Sequence, residues 1–189
     1  QLFNTYETKD WKVLLEKIHQ DPMQALDNLN SLVKNQSKVV KLLDHQFQRN
    51  DKLYSLIDKF DKVIITERSN TLDQYVSLEI AEQTKVWLGQ NTDDAKITLD
   101  INEYQKFCKN KDMYYEHLKS KLKGKNYITI NYEQELSTGI TDSLLSKLQQ
   151  FLNNSPEIIM KDKNRIKKQS TINCIDKIDN YNEIKQFLE

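Results

Sequence analysis

Glycine is nearly missing from this chain, with 3 in 189 residues, and proline is rarer still, with 2. Glycine reaches positive φ without strain and lets backbone approach a phosphate closely. A Gly-rich nucleotide loop is therefore expected to lie outside these residues or not to exist. Gln1 is not an initiator methionine, so an upstream segment is expected to have been removed or left out. Charge of one sign is missing too: 28 basic and 28 acidic residues balance to zero. That excludes a generally basic nucleic-acid binder or a polybasic membrane protein, while leaving room for a local basic patch.

Cysteine is scarce. Cys108 and Cys174 match no metal-ligand spacing and point to a reducing compartment more than to a disulfide scaffold. With no signal segment in view, a cytoplasmic location is the expectation. No run of about 18 apolar residues could span a membrane. At 38% hydrophobic and 30% charged, the chain is polar but above the disordered regime, and long enough for one domain over residues 1–189.

What is present reads as helices alternating with three apolar strands. Asp10 is a plausible N-cap for a helix carrying Trp11 to Ile18, and Asp21-Pro22 opens a second with Met23, Leu26, Leu29, Leu32 and Val33 on one face. Lys38 to Leu43 is β-branched at its start and too brief for a helix, so a strand ending at Asp44-His45-Gln46 is expected. A short helix over about 51–60 precedes the run Asp61 to Glu67. Its Val-Ile-Ile core lacks polar alternation, as in a parallel strand covered on both faces. Arg68-Ser69-Asn70 then leads to an amphipathic helix ending near Trp87, completing half of a βαβ unit. A loop over 89–98, a helix ending before Gly124, a strand over 126–131, a helix over 142–152 and a terminal helix over 178–188 complete the pattern. The expected class is helix-rich α/β with a mostly parallel sheet flanked by helices.

In such a sheet, ligands bind beyond the carboxyl ends of the strands. Those ends carry His45, then Arg68, then Tyr132-Glu133. Arg68 stands directly before a helix, where a guanidinium suits a phosphate, and it suits a carboxylate at the sheet edge equally well. Ser77, two turns into that helix, reads by itself as a packing residue as readily as a ligand group. His45 is the one histidine of three at a strand end, a place open to a structural or a catalytic imidazole. The Lys167-Lys168 segment is a basic loop, alone no more than a solvated face.

Taken together these segments resemble the sulfotransferases that use 3′-phosphoadenosine 5′-phosphosulfate, in the bacterial and phage form related to nodulation and trehalose sulfotransferases. Val63 through Leu78 resembles that family's strand-Arg-helix-Ser motif. Ala81-Glu82-Gln83-Thr84-Lys85-Val86-Trp87 is similar to its Ala-x-Gln-Thr-Gly-x-Trp segment. Ile128 to Glu133 resembles its strand-Tyr-Glu motif, and Lys167 to Glu183 its closing basic loop and Ile-x-Asn-Tyr-x-Glu helix. The segments occur in the family's order across residues 38–189.

The resemblance implies a P-loop-type fold and a metal-free transfer of a sulfuryl group from that nucleotide co-substrate to a hydroxyl acceptor. The acceptor would be a small molecule or glycan, with a glycan or other polyol favoured by the polar, aromatic-poor character of the loop at 89–98 and the first two helices. It implies that Arg68 and Ser77 hold the 3′-phosphate, that Lys167 and Lys168 close over it, and that Tyr132 lies against the adenine. His45 occupies the place where the family often supplies its base. One element of the pattern has no counterpart: the Arg-Ser-Gly-Thr-like loop that wraps the 5′-phosphosulfate, together with its strand. The chain is therefore expected to begin roughly 20–30 residues late, judged from typical strand-loop-helix lengths, and to be inactive as it stands if that loop is truly absent. The competing expectations are a non-catalytic nucleotide-binding remnant or helical interaction module, and a P-loop kinase relative without its phosphate loop. Nothing in the kinases corresponds to the segment from Lys167 to Glu183.

Overall fold

A computed structural model describes residues 20–32, 40–87, 90–137, 139–152 and 173–188. The helix expected over 10–18 and the basic loop with Lys167 and Lys168 lie outside the described residues. The architecture is helix-rich α/β, with a small two-stranded parallel sheet flanked by helices. The chain divides into two compact units, one within residues 1–63 and 114–126 and the other within 64–113 and 127–189.

In the first unit, α1 (Pro22–Leu32) begins as its sequence dictates. The Asp21 carboxylate accepts the Gln24 N–H at 3.0 Å, and Pro22 occupies a first-turn position where its missing N–H costs nothing. Helices α2 (Asp44–Arg49) and α3 (Leu53–Leu56), the latter prolonged by a 3-10 turn (Ile57–Lys59), bury Phe47, Leu53, Leu56 and Ile57. The strand expected over 38–43 is not formed at residues 40–43. Among the described residues, no neighbouring strand pairs with them, and an unpaired ladder leaves its N–H and C=O groups unsatisfied. Local chemistry takes over instead: the Gln46 side chain accepts the Leu43 N–H at 2.7 Å and starts a helix at Asp44.

The second unit holds β1 (Val63–Glu67, whose first residue falls at the division), α4 (Thr71–Thr84), the first part of α5 (Ile101–Lys121), β2 (Tyr127–Asn131) and α6 (Asp142–Leu152). Ile65 and Ile130 are buried, but Ile64 is 41% exposed. The Val-Ile-Ile run is thus covered on one face, and the expectation of two covered faces is corrected. An apolar run gives a strand its composition, but only elements packed on each face of the sheet bury it.

The core of this unit joins Tyr75, Val76 and Ile80 of α4 to Ile97 and Leu99 of the loop before α5, and to Cys174, Ile178 and Ile184 near the carboxyl end. Ile97 and Ile178 form a parallel bridge: Ile97 N–H donates to Lys177 O and Asp179 N–H to Ile97 O, both at 2.9 Å. The Asn180 amide then extends the ladder with a side chain. Its Oδ1 accepts the Leu99 N–H at 2.9 Å and its Nδ2 donates to Leu99 O at 3.0 Å. Ile178 and Asn180 thus tie the carboxyl-terminal segment to the loop. The terminal helix is shorter than expected, α7 (Tyr181–Ile184) with one further 3-10 turn.

Helix α4 ends at Thr84, earlier than Trp87. The Thr84 hydroxyl donates to Ile80 O at 2.7 Å and accepts the Val86 N–H at 3.2 Å. This end places Lys85 at φ 59°, among the described residues the one side-chain-bearing position in the left-handed region. A Cβ there clashes with the following carbonyl, at a cost of about 1–2 kcal/mol that glycine avoids. Lys85→Gly is accordingly expected to raise stability by about 1 kcal/mol, read as a higher urea midpoint with unchanged slope; a lower midpoint would show that Lys85 earns its place by a contact.

Candidate functional site

The carboxyl ends of β1 and β2 bring Arg68, Tyr132 and Glu133 together. Asn131 ends β2 and caps the single π-type turn that follows (Tyr132–Leu136), accepting the Gln134 N–H at 3.0 Å. That turn presents two successive side chains to Arg68. The guanidinium carbon lies 4.6 Å from the centre of the Tyr132 ring, and Arg68 Nε donates to Glu133 Oε1 at 3.3 Å. A second carboxylate comes from the first turn of α4, where Asp73 accepts from Arg68 Nη2.

Glu133 does more than neutralise Arg68. Its Oε2 accepts the Ser69 N–H at 2.8 Å and the Ser69 hydroxyl at 3.0 Å, so one carboxylate links the end of β1 to the end of β2. Asn70 then caps α4 by accepting the Asp73 N–H at 2.9 Å. From behind, Lys111 of α5 donates Nζ to Arg68 O at 2.6 Å and to Thr71 Oγ1 at 2.7 Å. Burial lowers the Lys111 pKa, and the nearby Arg68 charge acts in the same direction. The side chains of Arg68, Asp73 and Glu133 remain 25%, 21% and 27% exposed, which leaves the cluster open to a solute.

The other expected site residues are placed as follows. Ser77 is exposed on α4 and takes no part in this network. His45 stands in the first turn of α2, in the other unit, rather than at a strand end. Lys167 and Lys168 lie outside the described residues. Among the described residues, no group of His, Cys, Asp and Glu gathers to hold a metal ion, and no helix is long and apolar enough to cross a membrane. Asp73 and Lys111 escaped the sequence reading because each sits in a charge-rich helical stretch that reads as a solvated face. Glu133 was visible at a strand end and in a motif, but with no partner assigned to it.

A separate cavity of about 350 Å³ is lined by Tyr75, Phe107, Glu79, Asp100 and Glu103, among others. Burial, with help from the Glu79 charge, pushes the Tyr75 phenol up to about 12.

The acidic groups give the site a pH signature. Burial pushes the Glu133 pKa up, but the Ser69 N–H and hydroxyl and Arg68 together outweigh it and hold the carboxyl below its ordinary 4.5. Glu135 is held low first by Lys147, at 2.7 Å, and then by the Asn131 N–H, at 2.8 Å. A carboxyl with a depressed folded-state pKa contributes stability above its unfolded value, and loses it as pH falls through the folded value. Urea midpoints are therefore expected to drop below about pH 4.5, and to drop less steeply in Glu133→Gln. An equally steep fall in that variant would remove Glu133 from the effect.

The chain matches no family model, no curated protein and no solved structure.

Proposed function

We propose that this chain is a domain of the sulfotransferase type, which holds a phosphorylated nucleotide at Arg68 and passes a sulfuryl group to a hydroxyl acceptor. The observation that carries the reading is the placement of Arg68. It follows a parallel strand, precedes a helix, and lies 4.6 Å from the ring of Tyr132 at the end of the adjacent strand. A ligand bearing both a phosphate and a planar base matches that pair, the phosphate on the guanidinium and the base against the ring. Lys85 adds support, since its left-handed backbone falls where the resembled segment carries glycine. The parallel pair β1 and β2 would then be part of a P-loop-type sheet.

In this reading the acceptor hydroxyl oxygen attacks sulfur as the bond from sulfur to the 5′-phosphate oxygen breaks. The phosphate leaves with the electron pair, and a base takes the hydroxyl proton. His45 is the proposed base, with Ser77, Lys167 and Lys168 as further phosphate ligands. The cavity beside Tyr75 and Phe107 has the mixture of aromatic and carboxylate groups that suits a polyol acceptor.

The residues fit the nucleotide in one respect and oppose it in another. Arg68 and Tyr132 suit it, whereas Asp73 and Glu133 already neutralise the guanidinium. That neutralisation is the observation favouring the alternative, a non-catalytic remnant or helical interaction module whose Arg68 is structural.

Calorimetric titration with adenosine 3′,5′-bisphosphate separates the two. Arg68→Ala is expected to weaken binding roughly 10- to 100-fold, the worth of a charge-assisted hydrogen bond to an ionised group. Equal binding by parent and variant, or none by either with the fold intact, defeats the assignment. For turnover, His45→Ala is expected to cost about 10²-fold or more; a loss under about threefold removes His45 from the mechanism.

A further inference from the structure

The two carboxylates on Arg68 are held in different ways. Glu133 uses both oxygens, one on Arg68 Nε and the other on the Ser69 N–H and hydroxyl, so three donors fix it. Among the described residues, the Asp73 carboxylate contacts the guanidinium alone, through Nη2. One carboxylate is thus built into the junction of two strands, and the other is a side-chain counterion that can swing away by rotating its own χ angles. Removing Asp73 from the guanidinium breaks one ion pair, whereas removing Glu133 also strips the acceptor from Ser69.

We infer that Asp73 is a built-in competitor for the Arg68 guanidinium, displaced when a phosphate ligand binds, and that Glu133 is a positioning residue that keeps the guanidinium aimed while this happens. The inference rests on the phosphate-binding reading of Arg68 and adds to it a reason for weak binding in the resting protein. The charge arithmetic supports it. Arg68 and Lys111 are balanced by Asp73 and Glu133, so the resting cluster has no net charge to attract an anion. With Asp73 turned out, the same cluster carries one net positive charge beside the Tyr132 ring. The phosphate takes the Nη2 edge that Asp73 leaves, while Nε stays on Glu133. Both carboxylates are partly exposed, at 21% and 27%, so the exchange needs no opening of the core.

The test titrates adenosine 3′,5′-bisphosphate, and separately inorganic phosphate, into the parent, Asp73→Asn, Asp73→Ser, Glu133→Gln and Arg68→Ala, with circular dichroism confirming each fold. Both Asp73 variants are expected to bind about two- to fivefold tighter, as when a partly exposed ion pair no longer competes. Glu133→Gln is expected to bind about tenfold weaker. In ligand-free protein, the Arg68 Nε–H resonance should stay protected from solvent exchange in Asp73→Asn and lose that protection in Glu133→Gln, a response that a general loss of stability would not divide in this way. If bisphosphate binding depends on Arg68 but the Asp73 variants bind no better than the parent, the inference falls and the phosphate reading stands. If Arg68→Ala binds as well as the parent, or no variant binds, both fall.

Discussion

The bridge from Glu133 to Arg68 and Ser69 is the contact on which the carboxyl end of the sheet depends. Two short parallel strands have few ladder bonds of their own, and their ends would splay without a cross-link. Glu133 supplies one by accepting from the backbone of Ser69 and the side chain of Arg68 at once. Lys111 closes the junction from the opposite side by holding Arg68 O and Thr71 Oγ1. The start of α4 is therefore held by charge-assisted bonds together with the packing of Leu72 on the core. A partly buried guanidinium without partners would be costly; here it is shared between two carboxylates and an aromatic face.

At the other end of α4 the constraint is apolar. Val76 and Ile80 pack on Ile97, Leu99, Ile178 and Ile184, and the Asn180 side chain acts as one more rung of the ladder between the loop and the carboxyl-terminal segment. Lys177 is 3% exposed, with its ammonium on Thr92 O, so even a lysine is drawn into this closure. Ile178 and Asn180 thus have a structural task in this chain, which makes them poor candidates for ligand contact.

Much of the fold was legible from residue order. Helix α6 was read with its observed bounds, β1 and β2 within two residues, and α1 from an Asp-Pro start that does cap a helix. These elements depend on near neighbours: caps, periodicity and β-branching. The failures share a cause. Residues 40–43 have strand composition, but strand formation needs a partner, and none pairs with them among the described residues. Ile64 was read as buried because its neighbours are apolar, yet burial depends on what packs across the sheet, and Ile64 is left 41% exposed.

The candidate site divides along the same line. That an arginine follows β1 and that Tyr-Glu follows β2 was settled by the sequence alone, because strand ends are local features. What the arginine touches was not. Asp73 is one turn of helix away and Glu133 is 65 positions away, and a charged side chain in a polar sequence shows no sign of its partner. Only the parallel pairing of β1 with β2, and the turn after β2, bring Glu133 within reach of Arg68 and Ser69. The scarcity of glycine behaves likewise. Composition excludes a glycine-rich loop, but only the backbone shows that Lys85 has taken a conformation that favours glycine, since φ is decided by how α4 must end.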